Sequence, residues 1–173
     1  MSRNIYLTGP RAAGKTTTGR RVAELLNLEF IDTDVYLGDL HQTTVAEVVA
    51  QFGWEEFRRM EAEVLVQTSA GGSKVVATGG GMILAEPNRD LMRERGLVFY
   101  LSAPAEVLAE RLTRDPQAAR RPSLTGQSVV EEVAQVLAQR EAIYRAVAHQ
   151  VIDAAAPFDE VVAEIVRLIK AMG

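Results

Sequence analysis

The hydrophobic positions of the chain form five short runs separated by longer amphipathic stretches. The runs are NIYLT (4–8), EFIDT (29–33), KVVAT (74–78), LVFYL (97–101) and HQVID (149–153). Short runs that are apolar almost throughout are typical of strands buried on both faces. The stretch that joins the first two runs has helical spacing, and a helical crossover forces the strands it joins into parallel pairing. The pattern predicts an α/β fold with five parallel strands covered by helices on both faces.

A first insertion, residues 34–70, interrupts this alternation after the second run. TVAE at 44–47 has the form of a capping box, which predicts a helix start. Gly53 provides a stop for that helix, and apolar residues from Trp54 onward predict a second one. We therefore expect the insertion to be helical rather than an irregular loop.

A second insertion, residues 112–127, has a different character. Its sequence, LTRDPQAARRPSLTGQ, is polar and basic and contains two prolines, which is typical of a mobile flap. After it, apolar residues at helical spacing predict a long helix from about residue 129 and a last helix over 158–171.

The composition limits the size and the partners of the molecule. A chain of 173 residues, 47% of them hydrophobic, suits one domain, and its net charge of −4 argues against a nucleic-acid or anionic-membrane partner. The absence of cysteine excludes disulfides and thiolate metal sites. The apolar runs are far shorter than the roughly 20 residues of a membrane span, and no secretory leader is recognisable. We expect a soluble, cytoplasmic protein, monomeric by default.

The stretch GPRAAGKTTTG (9–19) directly follows the first apolar run. Gly9, Gly14, Lys15 and Thr16 match the phosphate-loop pattern G-x-x-x-x-G-K-[ST]. Glycines let backbone N–H groups point at phosphate oxygens, and the positive end of the next helix reinforces them. Lys15 would neutralise the β- and γ-phosphates, and the Thr16 hydroxyl would bind Mg²⁺. A glycine-rich turn with an incidental lysine is disfavoured, because a predicted strand precedes the pattern and a predicted helix follows it.

A carboxylate pair lies at the end of the second predicted strand. FIDTD contains Asp32 and Asp34, and alternation along an extended chain puts both on one side, with Thr33 opposite. One of the two carboxylates would hold the hydration shell of Mg²⁺, whereas the other would accept a hydrogen bond from an acceptor hydroxyl and draw its proton. Positioning without proton abstraction stays open for Asp34, and so does a helix-capping role.

Nucleotide binding by itself is compatible with several classes of protein. A GTPase would need an Asn-Lys-x-Asp guanine reader, which the sequence lacks. An ATP-driven machine would need an aspartate after an apolar strand, whereas KVVATGGG ends in threonine and glycines. A kinase of small molecules is favoured, because such a strand end admits a second substrate.

The motifs follow one another in the order GPRAAGKT, DTD, FRRME, TGGG, and RRP with REAIY. With them, residues 4 to about 157 closely resemble shikimate kinases, in the nucleoside-monophosphate-kinase-like branch of phosphate-loop proteins. The resemblance implies a three-layer αβα P-loop fold with strand order 2-3-1-4-5, a substrate-binding subdomain at 34–70 and a lid at 112–127. It also implies Mg²⁺-dependent transfer of the γ-phosphate of ATP to the 3-hydroxyl of shikimate, in aromatic amino acid biosynthesis.

The resemblance further implies which residues bind shikimate. Asp34 would hold hydroxyl groups, and the guanidinium groups of Arg58 and Arg140 would hold the carboxylate. A bidentate fork orients an acid as well as attracting it. Glu61, one helical turn after Arg58, would orient that guanidinium. The backbone of a triple glycine would approach the substrate, and its members are Gly79, Gly80 and Gly81.

On the ATP side, the resemblance implies that Arg121 closes over the phosphates, and the following Pro122 selects it over Arg120. Arg114 and Pro157 would lie on either side of the adenine. The loop residues expected at ATP are Gly9, Ala12, Ala13, Gly14, Lys15, Thr16 and Thr17, with Thr16 and Asp32 at Mg²⁺. The expected catalytic residues are Lys15, Asp34 and Arg121.

Ala12 departs from the family pattern, which has glycine at this position of the loop. A methyl group disfavours a positive φ, so we expect weaker ATP binding with catalysis retained. Kinases of the same branch that act on gluconate or a nucleotide stay open, although Arg58 with Arg140 favours a carboxylate substrate. A nucleotide-dependent binding module without catalysis also stays open.

Overall fold

The computed structural model describes residues 3–115, 123 and 125–172. In chain order, the elements are β1 (Asn4–Thr8), α1 (Lys15–Leu26), β2 (Glu29–Asp32), α2 (Thr33–His41), α3 (Val45–Ser69), β3 (Lys74–Ala77), α4 (Glu86–Arg95), β4 (Gly96–Ser102), α5 (Ala105–Arg114), α6 (Val129–Val147), β5 (Gln150–Asp153) and α7 (Phe158–Met172). The strands form one parallel sheet in the order β2-β3-β1-β4-β5. The predicted fold class and strand order are confirmed.

The strands β1 and β4 are buried on both faces, which explains why their sequences are apolar without alternation. All of β1 is buried, and β4 is buried except at its last residue. Leu7 and Phe99 pack into a core shared with α1 and α7, whereas Tyr6 and Tyr100 pack into a core shared with α4 and α6. Each strand therefore supplies apolar side chains to both faces, and helices cover the sheet from both sides.

The second strand ends one residue earlier than its apolar run. β2 stops at Asp32, and α2 begins at Thr33. Asp32 Oδ1 accepts hydrogen bonds from the backbone N–H groups of Asp34 (3.0 Å) and Val35 (3.3 Å). The predicted strand alternation between Asp32 and Asp34 is therefore wrong, although both residues line one cavity. The helix cap is Asp32 rather than Asp34. A cap carboxylate favours helix here because it satisfies N–H groups of the first turn.

The first insertion is helical, as its sequence predicts. Thr44 and Glu47 form the capping box of α3, with Glu47 Oε2 2.8 Å from the Thr44 backbone nitrogen. Gly53 has φ 82° and ψ 174°, so α3 breaks there and resumes at Trp54. The two helices of the insertion enclose a small core of their own, made of Leu37, Val48, Phe57, Met60 and Val64.

The second insertion is described only at its borders. Residues 112–114 end α5, and 125–127 lead into α6, whereas 116–122 and 124 lie outside the described residues. The lid therefore stays a prediction. Along the ranges that the structure describes, no helix combines the length and apolar character needed to cross a membrane.

Candidate active site

The carboxyl ends of three neighbouring strands bring the predicted site together. The phosphate loop follows β1, Asp32 ends β2, and Gly79 lies two residues after β3. Parallel strands present their carboxyl ends at one edge of the sheet, so segments far apart in sequence meet there.

The phosphate loop has the predicted form of strand, loop and helix. Gly9 and Gly14 have φ values of 145° and 89°. A β-carbon on Gly9 would also lie 2.7 Å from the carbonyl oxygen of Leu101, so both conformation and space require glycine there. Gly14 is the N-cap of α1, whose first-turn N–H groups are available to an anion. Ala12 has φ 62°, so this loop keeps a left-handed residue despite the methyl group.

Lys15 and Thr16, at the start of α1, make specific polar contacts. Lys15 Nζ donates hydrogen bonds to the carbonyl oxygens of Gly9 and Pro10, both at 2.7 Å. Thr16 Oγ1 donates to Asp32 Oδ2 at 2.6 Å. The two residues predicted at Mg²⁺ are thus in contact, and they offer a hydroxyl and a carboxylate oxygen, the ligand type that Mg²⁺ prefers.

These side chains line an open cavity at the phosphate loop. Its walls include Arg11, Ala12, Gly14, Lys15, Thr16, Thr17, Asp32, Asp34, Thr78 and Gly80. Asp34 reaches this cavity from the first turn of α2, not from the strand.

A second cavity lies between α3, α6 and the glycine segment. Every residue predicted to bind substrate lines it, namely Asp34, Arg58, Gly79, Gly80, Gly81 and Arg140. Val45, Trp54 and Phe57 form its apolar wall. Three guanidinium groups and two carboxylates line this cavity together with the apolar wall, from Arg11, Arg58, Arg140, Asp34 and Glu61. Such a lining suits a small, hydroxylated acid, because the charges orient it while the wall excludes water.

Arg58 is held by a buried carboxylate. It donates a hydrogen bond to Glu61, whose side chain is only 3% exposed, and its guanidinium carbon lies 5.4 Å from the Trp54 ring centroid and 5.3 Å from that of Phe57. The predicted contact between Arg58 and Glu61 is therefore present. Burial raises the pKa of Glu61 to about 7, and Asp34 contributes in the same direction, whereas the Arg58 charge opposes the shift.

Two members of the triple glycine, Gly79 and Gly81, are needed for close approach. A β-carbon on Gly79 would lie 2.6 Å from Glu61 Oε1 and 3.0 Å from Asp34 Oδ1. A β-carbon on Gly81 would overlap the Arg58 guanidinium. The segment thus packs directly against the charged groups of the second cavity, which a larger residue would displace.

Arg11 and Tyr144 belong to the site although sequence reasoning assigned them no role. Arg11 lines both cavities, as do Asp34 and Gly80. The Tyr144 hydroxyl donates to the Gly80 carbonyl oxygen at 2.5 Å, and its ring stacks on Tyr100 with centroids 4.9 Å apart. The aromatic residue within REAIY was an available signal for Tyr144. For Arg11 the sequence offered none, since its position in the loop pattern is variable.

A third cavity lies on the other side of the phosphate loop. It is lined by Ala12, Ala13, Gly14, Thr17, Thr18, Arg111, Ala154, Ala156, Phe158 and Val161. Neither Arg114 nor Pro157 lines it: Arg114 is largely exposed and pairs with Glu110 at 2.6 Å, and Pro157 is exposed at the start of α7. Their adenine contacts stay predictions. Arg121, predicted to close over the phosphates, lies outside the described residues, together with Arg120 and Pro122.

Comparison with known proteins identifies the family. The family model described as shikimate kinase matches residues 11–170. The chain is 52% identical over 170 residues to shikimate kinase 2 of Syntrophotalea carbinolica, covering 98% of both chains. It is 50% identical over 169 residues to shikimate kinase 2 of Yersinia enterocolitica, covering 98% of this chain and 97% of that one. The chain belongs to the shikimate kinase family.

Solved structures agree with membership of the shikimate kinase family. Shikimate kinase from Acinetobacter baumannii in complex with shikimate superposes with a TM-score of 0.91 and 35% identity, over 99% of this chain and 94% of that one. A gluconokinase from Sinorhizobium meliloti, with a TM-score of 0.62 and 18% identity, shares the fold alone. Shikimate kinases use ATP, and family membership makes this chain a phosphotransferase.

Proposed function

We propose that this shikimate kinase family member transfers the γ-phosphate of ATP to the 3-hydroxyl of shikimate, giving shikimate 3-phosphate and ADP. The observation that carries the proposal is the junction of two cavities. One is lined by the phosphate loop and the other by Arg58 and Arg140, and they share Arg11, Asp34 and Gly80. A triphosphate in the first cavity and an acid in the second would place donor and acceptor oxygens side by side.

In this proposal the acceptor is fixed by charge at one end and by hydrogen bonds at the other. Arg58 and Arg140 bind the carboxylate, and the backbone from Gly79 to Gly81 approaches the ring. Asp34 accepts a hydrogen bond from the reacting hydroxyl. Holding the two oxygens in near-attack geometry removes much of the entropic barrier to their encounter.

On the donor side, backbone N–H groups of the phosphate loop and the start of α1 bind the phosphates. Thr16 and Asp32 would hold Mg²⁺, which when bound would neutralise part of the negative charge of the phosphates. Lys15 now donates to loop carbonyl groups; we propose that its ammonium group donates to the β- and γ-phosphates once ATP is bound. Arg121 is proposed to add positive charge from the lid, and Arg114 and Pro157 to flank the adenine.

The chemical step exchanges one phosphorus–oxygen bond for another. The bond from the γ-phosphorus to its bridging oxygen breaks, and ADP leaves with that oxygen. A bond forms between the γ-phosphorus and the acceptor oxygen, while the hydroxyl proton passes to Asp34 and from there to solvent. Lys15 stabilises the negative charge that spreads over the phosphate oxygens during transfer.

A coupled assay of ADP release tests the proposed substrate. We expect turnover that is negligible with ATP alone, strong with added shikimate, and weak with gluconate or AMP. Mass spectrometry of the acceptor would identify the product by one added phosphate. Stronger stimulation by gluconate or AMP than by shikimate would overturn the proposal.

Neighbouring arginines of α3 provide a matched pair of variants for the same assay. Arg58→Met should raise the KM for shikimate about a hundredfold, because truncating one partner of a buried charge pair commonly costs 2 kcal/mol or more. Arg59 is 56% exposed and pairs with Glu56 and Glu63 on the helix surface. Arg59→Met should leave this KM unchanged, and an equal effect of both variants would argue against the assigned site.

The role of Asp34 gives a separate prediction. Asp34→Asn should lower kcat about a hundredfold in a folded protein, since general-base catalysis contributes roughly 10²–10⁴-fold. The control is Asp39→Asn on the exposed face of the same helix, which should keep full kcat. A variant at position 34 that keeps more than about a tenth of kcat would assign Asp34 a positioning role instead.

We further propose that the chain acts in the cytoplasm as a monomer, with residues 34–70 as its substrate-binding subdomain and 112–127 as its lid. The acidic net charge of −4 supports the absence of a polyanionic partner. Light scattering coupled to size exclusion tests the monomer. Proteolysis near residues 112–125 tests the lid, because closure over ATP and shikimate should protect this segment.

A further inference from the structure

Two buried hydroxyl groups from distant elements bind the backbone of the glycine segment. The Gly79 backbone nitrogen donates to Thr33 Oγ1 at 3.0 Å, and the Tyr144 hydroxyl donates to the Gly80 carbonyl oxygen at 2.5 Å. Thr33 is the first residue of α2, and Tyr144 lies in the last turn of α6. Neither residue lines the second cavity. An effect of these hydroxyls on a bound acceptor would therefore act through the glycine backbone.

Gly80 lies where a small displacement would change both cavities, since it lines the first and the second. A β-carbon on Gly80 would lie 3.5 Å from the Gly9 carbonyl oxygen and 3.8 Å from the Arg11 backbone nitrogen. The same β-carbon would lie 3.7 Å from the Tyr144 hydroxyl. Gly80 thus contacts the phosphate loop and Tyr144 at once, and its position sets the space between donor and acceptor.

The core of the protein fixes the Tyr144 hydroxyl. The Tyr144 ring stacks on Tyr100 with centroids 4.9 Å apart and planes 14° from parallel, and both residues are fully buried. Burial raises the pKa of Tyr144 to about 12, although the Arg140 charge opposes the shift, so the hydroxyl keeps its proton and stays a donor at neutral pH. Arg140 precedes Tyr144 by one helical turn and lies on the same face of α6.

We propose that Tyr144 and Thr33 are positioning residues for the acceptor, because their hydroxyls fix the glycine backbone that forms one wall of the second cavity. Glycine has the greatest backbone freedom of all residues, and three in a row offer no side chains by which the core could hold them. Hydrogen bonds to the backbone provide that restraint instead. This inference rests on the proposed function, and it names the residues that keep the acceptor site in shape.

Two variants that remove a hydroxyl and keep the size of the side chain test the proposal. Shikimate affinity would be measured by calorimetry for Tyr144→Phe and Thr33→Val, and the KM values for shikimate and ATP by the coupled assay. Each variant should weaken shikimate binding about fivefold, which corresponds to about 1 kcal/mol and is typical of one hydrogen bond. The KM for ATP should change less than about twofold, because hydrogen bonds within the phosphate loop hold its shape.

Matched controls separate positioning from a general loss of stability. Tyr6 belongs to the same core as Tyr144 and is equally buried, but its hydroxyl donates to Ser69 Oγ at 2.8 Å, at the end of α3. Thr68 is also buried, and its hydroxyl donates to the Val64 carbonyl oxygen at 2.8 Å. Tyr6→Phe and Thr68→Val should lower the melting temperature but leave shikimate affinity unchanged.

The proposal is overturned if a folded site variant, Tyr144→Phe or Thr33→Val, binds shikimate within about twofold of the wild type. An equal loss of affinity in the site and control variants would overturn it as well, in favour of a purely structural role. Either site variant is sufficient for these comparisons, so loss of folding in one leaves the other as the test.

Hydrogen exchange of the ligand-free proteins tests the positioning role without any substrate. In this segment the Met82 and Leu84 backbone nitrogens donate to the Gly79 and Gly81 carbonyl oxygens, each at 3.1 Å. Peptides that cover residues 78–84 should exchange about fivefold faster in the site variants and at the wild-type rate in the controls. Unchanged exchange in the site variants would contradict the inference, whereas a wild type without shikimate-dependent turnover would count against the proposed function.

Discussion

At the scale of single residues, the site depends on charges held close together in a small volume. Arg58 contacts two aromatic rings and the buried Glu61, and the glycine segment has no side chains that would separate these groups from a ligand. Burial raises the pKa of Glu61 to about 7, because water is replaced by protein around its carboxyl group. A bound acid would add negative charge beside it.

Glu61 should make stability fall as pH rises. Its pKa in the folded protein lies above the usual value of 4.5, so the stabilisation from its neutral form is complete below about pH 4.5 and is lost as pH rises through 7. Glu61→Gln keeps a neutral side chain. The wild-type melting temperature minus that of Glu61→Gln should therefore decrease as pH rises from 5 to 8. The decrease should be roughly 5 °C, for an effect on the order of 2 kcal/mol.

Glu63→Gln, at an exposed position of the same helix, is the control for Glu61. The difference between the wild type and the Glu63 variant should not depend on pH over this range. A flat difference for the Glu61 variant would mean that the Glu61 pKa is not raised.

At the scale of elements, α3 arranges the acceptor cavity through its periodicity. Trp54, Phe57, Arg58 and Glu61 are spaced by three and four residues, so they share one face of the helix. The break at Gly53 starts a new helical segment directly before this face. Because the helix is interrupted at Gly53, the segment from Trp54 onward has its own direction relative to the segment before it. The break therefore sets the direction of the face that carries Trp54, Phe57, Arg58 and Glu61.

Trp54, the only tryptophan of the chain, should report acceptor binding. The Arg58 guanidinium lies over its ring, and a bound carboxylate would draw that charge away. Titration with shikimate should give a saturable change in fluorescence. The response should disappear in Arg58→Met and persist in Arg59→Met, whereas an unchanged spectrum in the wild type would argue against binding in this cavity.

At the scale of the whole molecule, the two edges of the parallel sheet have different roles, one in binding ligands and the other in stabilising the fold. Ligand cavities gather at its carboxyl edge, and the join between α6 and β5 packs at the opposite edge. There the His149 backbone nitrogen donates to the Val98 carbonyl oxygen at 2.8 Å, and the His149 ring Nδ1 accepts from the Val98 backbone nitrogen at 3.0 Å. Burial, with Arg93 and Arg3 nearby, lowers the pKa of His149.

His149 should make the fold sensitive to acid. Its folded-state pKa lies below the usual 6.5, so its contribution is complete above that pH and is lost as pH falls through the lowered value, when Nδ1 gains a proton and stops accepting. His149→Asn, whose amide oxygen replaces Nδ1 as acceptor, should flatten the fall in melting temperature between pH 7 and 5. The only other histidine, His41, is exposed, and His41→Asn should leave the curve as it is. Equal curves for the wild type and His149→Asn would contradict this role.

Local patterns predicted most of the fold. Five apolar runs predicted five strands within one or two residues, since burial on both faces demands apolar side chains along the whole strand. The capping box and Gly53 predicted the limits of the first part of α3. The end of β2 was predicted wrongly, because Asp32 satisfies helix N–H groups only when the chain turns there, and alternation does not reveal that turn.

The sequence by itself determined the phosphate loop, the parallel sheet, and the family to which the chain belongs. The loop and the sheet follow from residue spacing, because a loop that wraps a phosphate and a strand buried on two faces each require particular residues at neighbouring positions. The family follows from the resemblance of the ordered motifs to those of shikimate kinases. Tertiary structure alone decided that Arg11 lies between two cavities, that Tyr144 binds Gly80, and that Arg111 holds Ala12. Tyr144 and Arg111 reach backbone carbonyl groups of residues distant in sequence, and Arg11 borders cavities. Every residue type has a backbone carbonyl group, and a cavity has no residue of its own, so the sequence does not identify these partners.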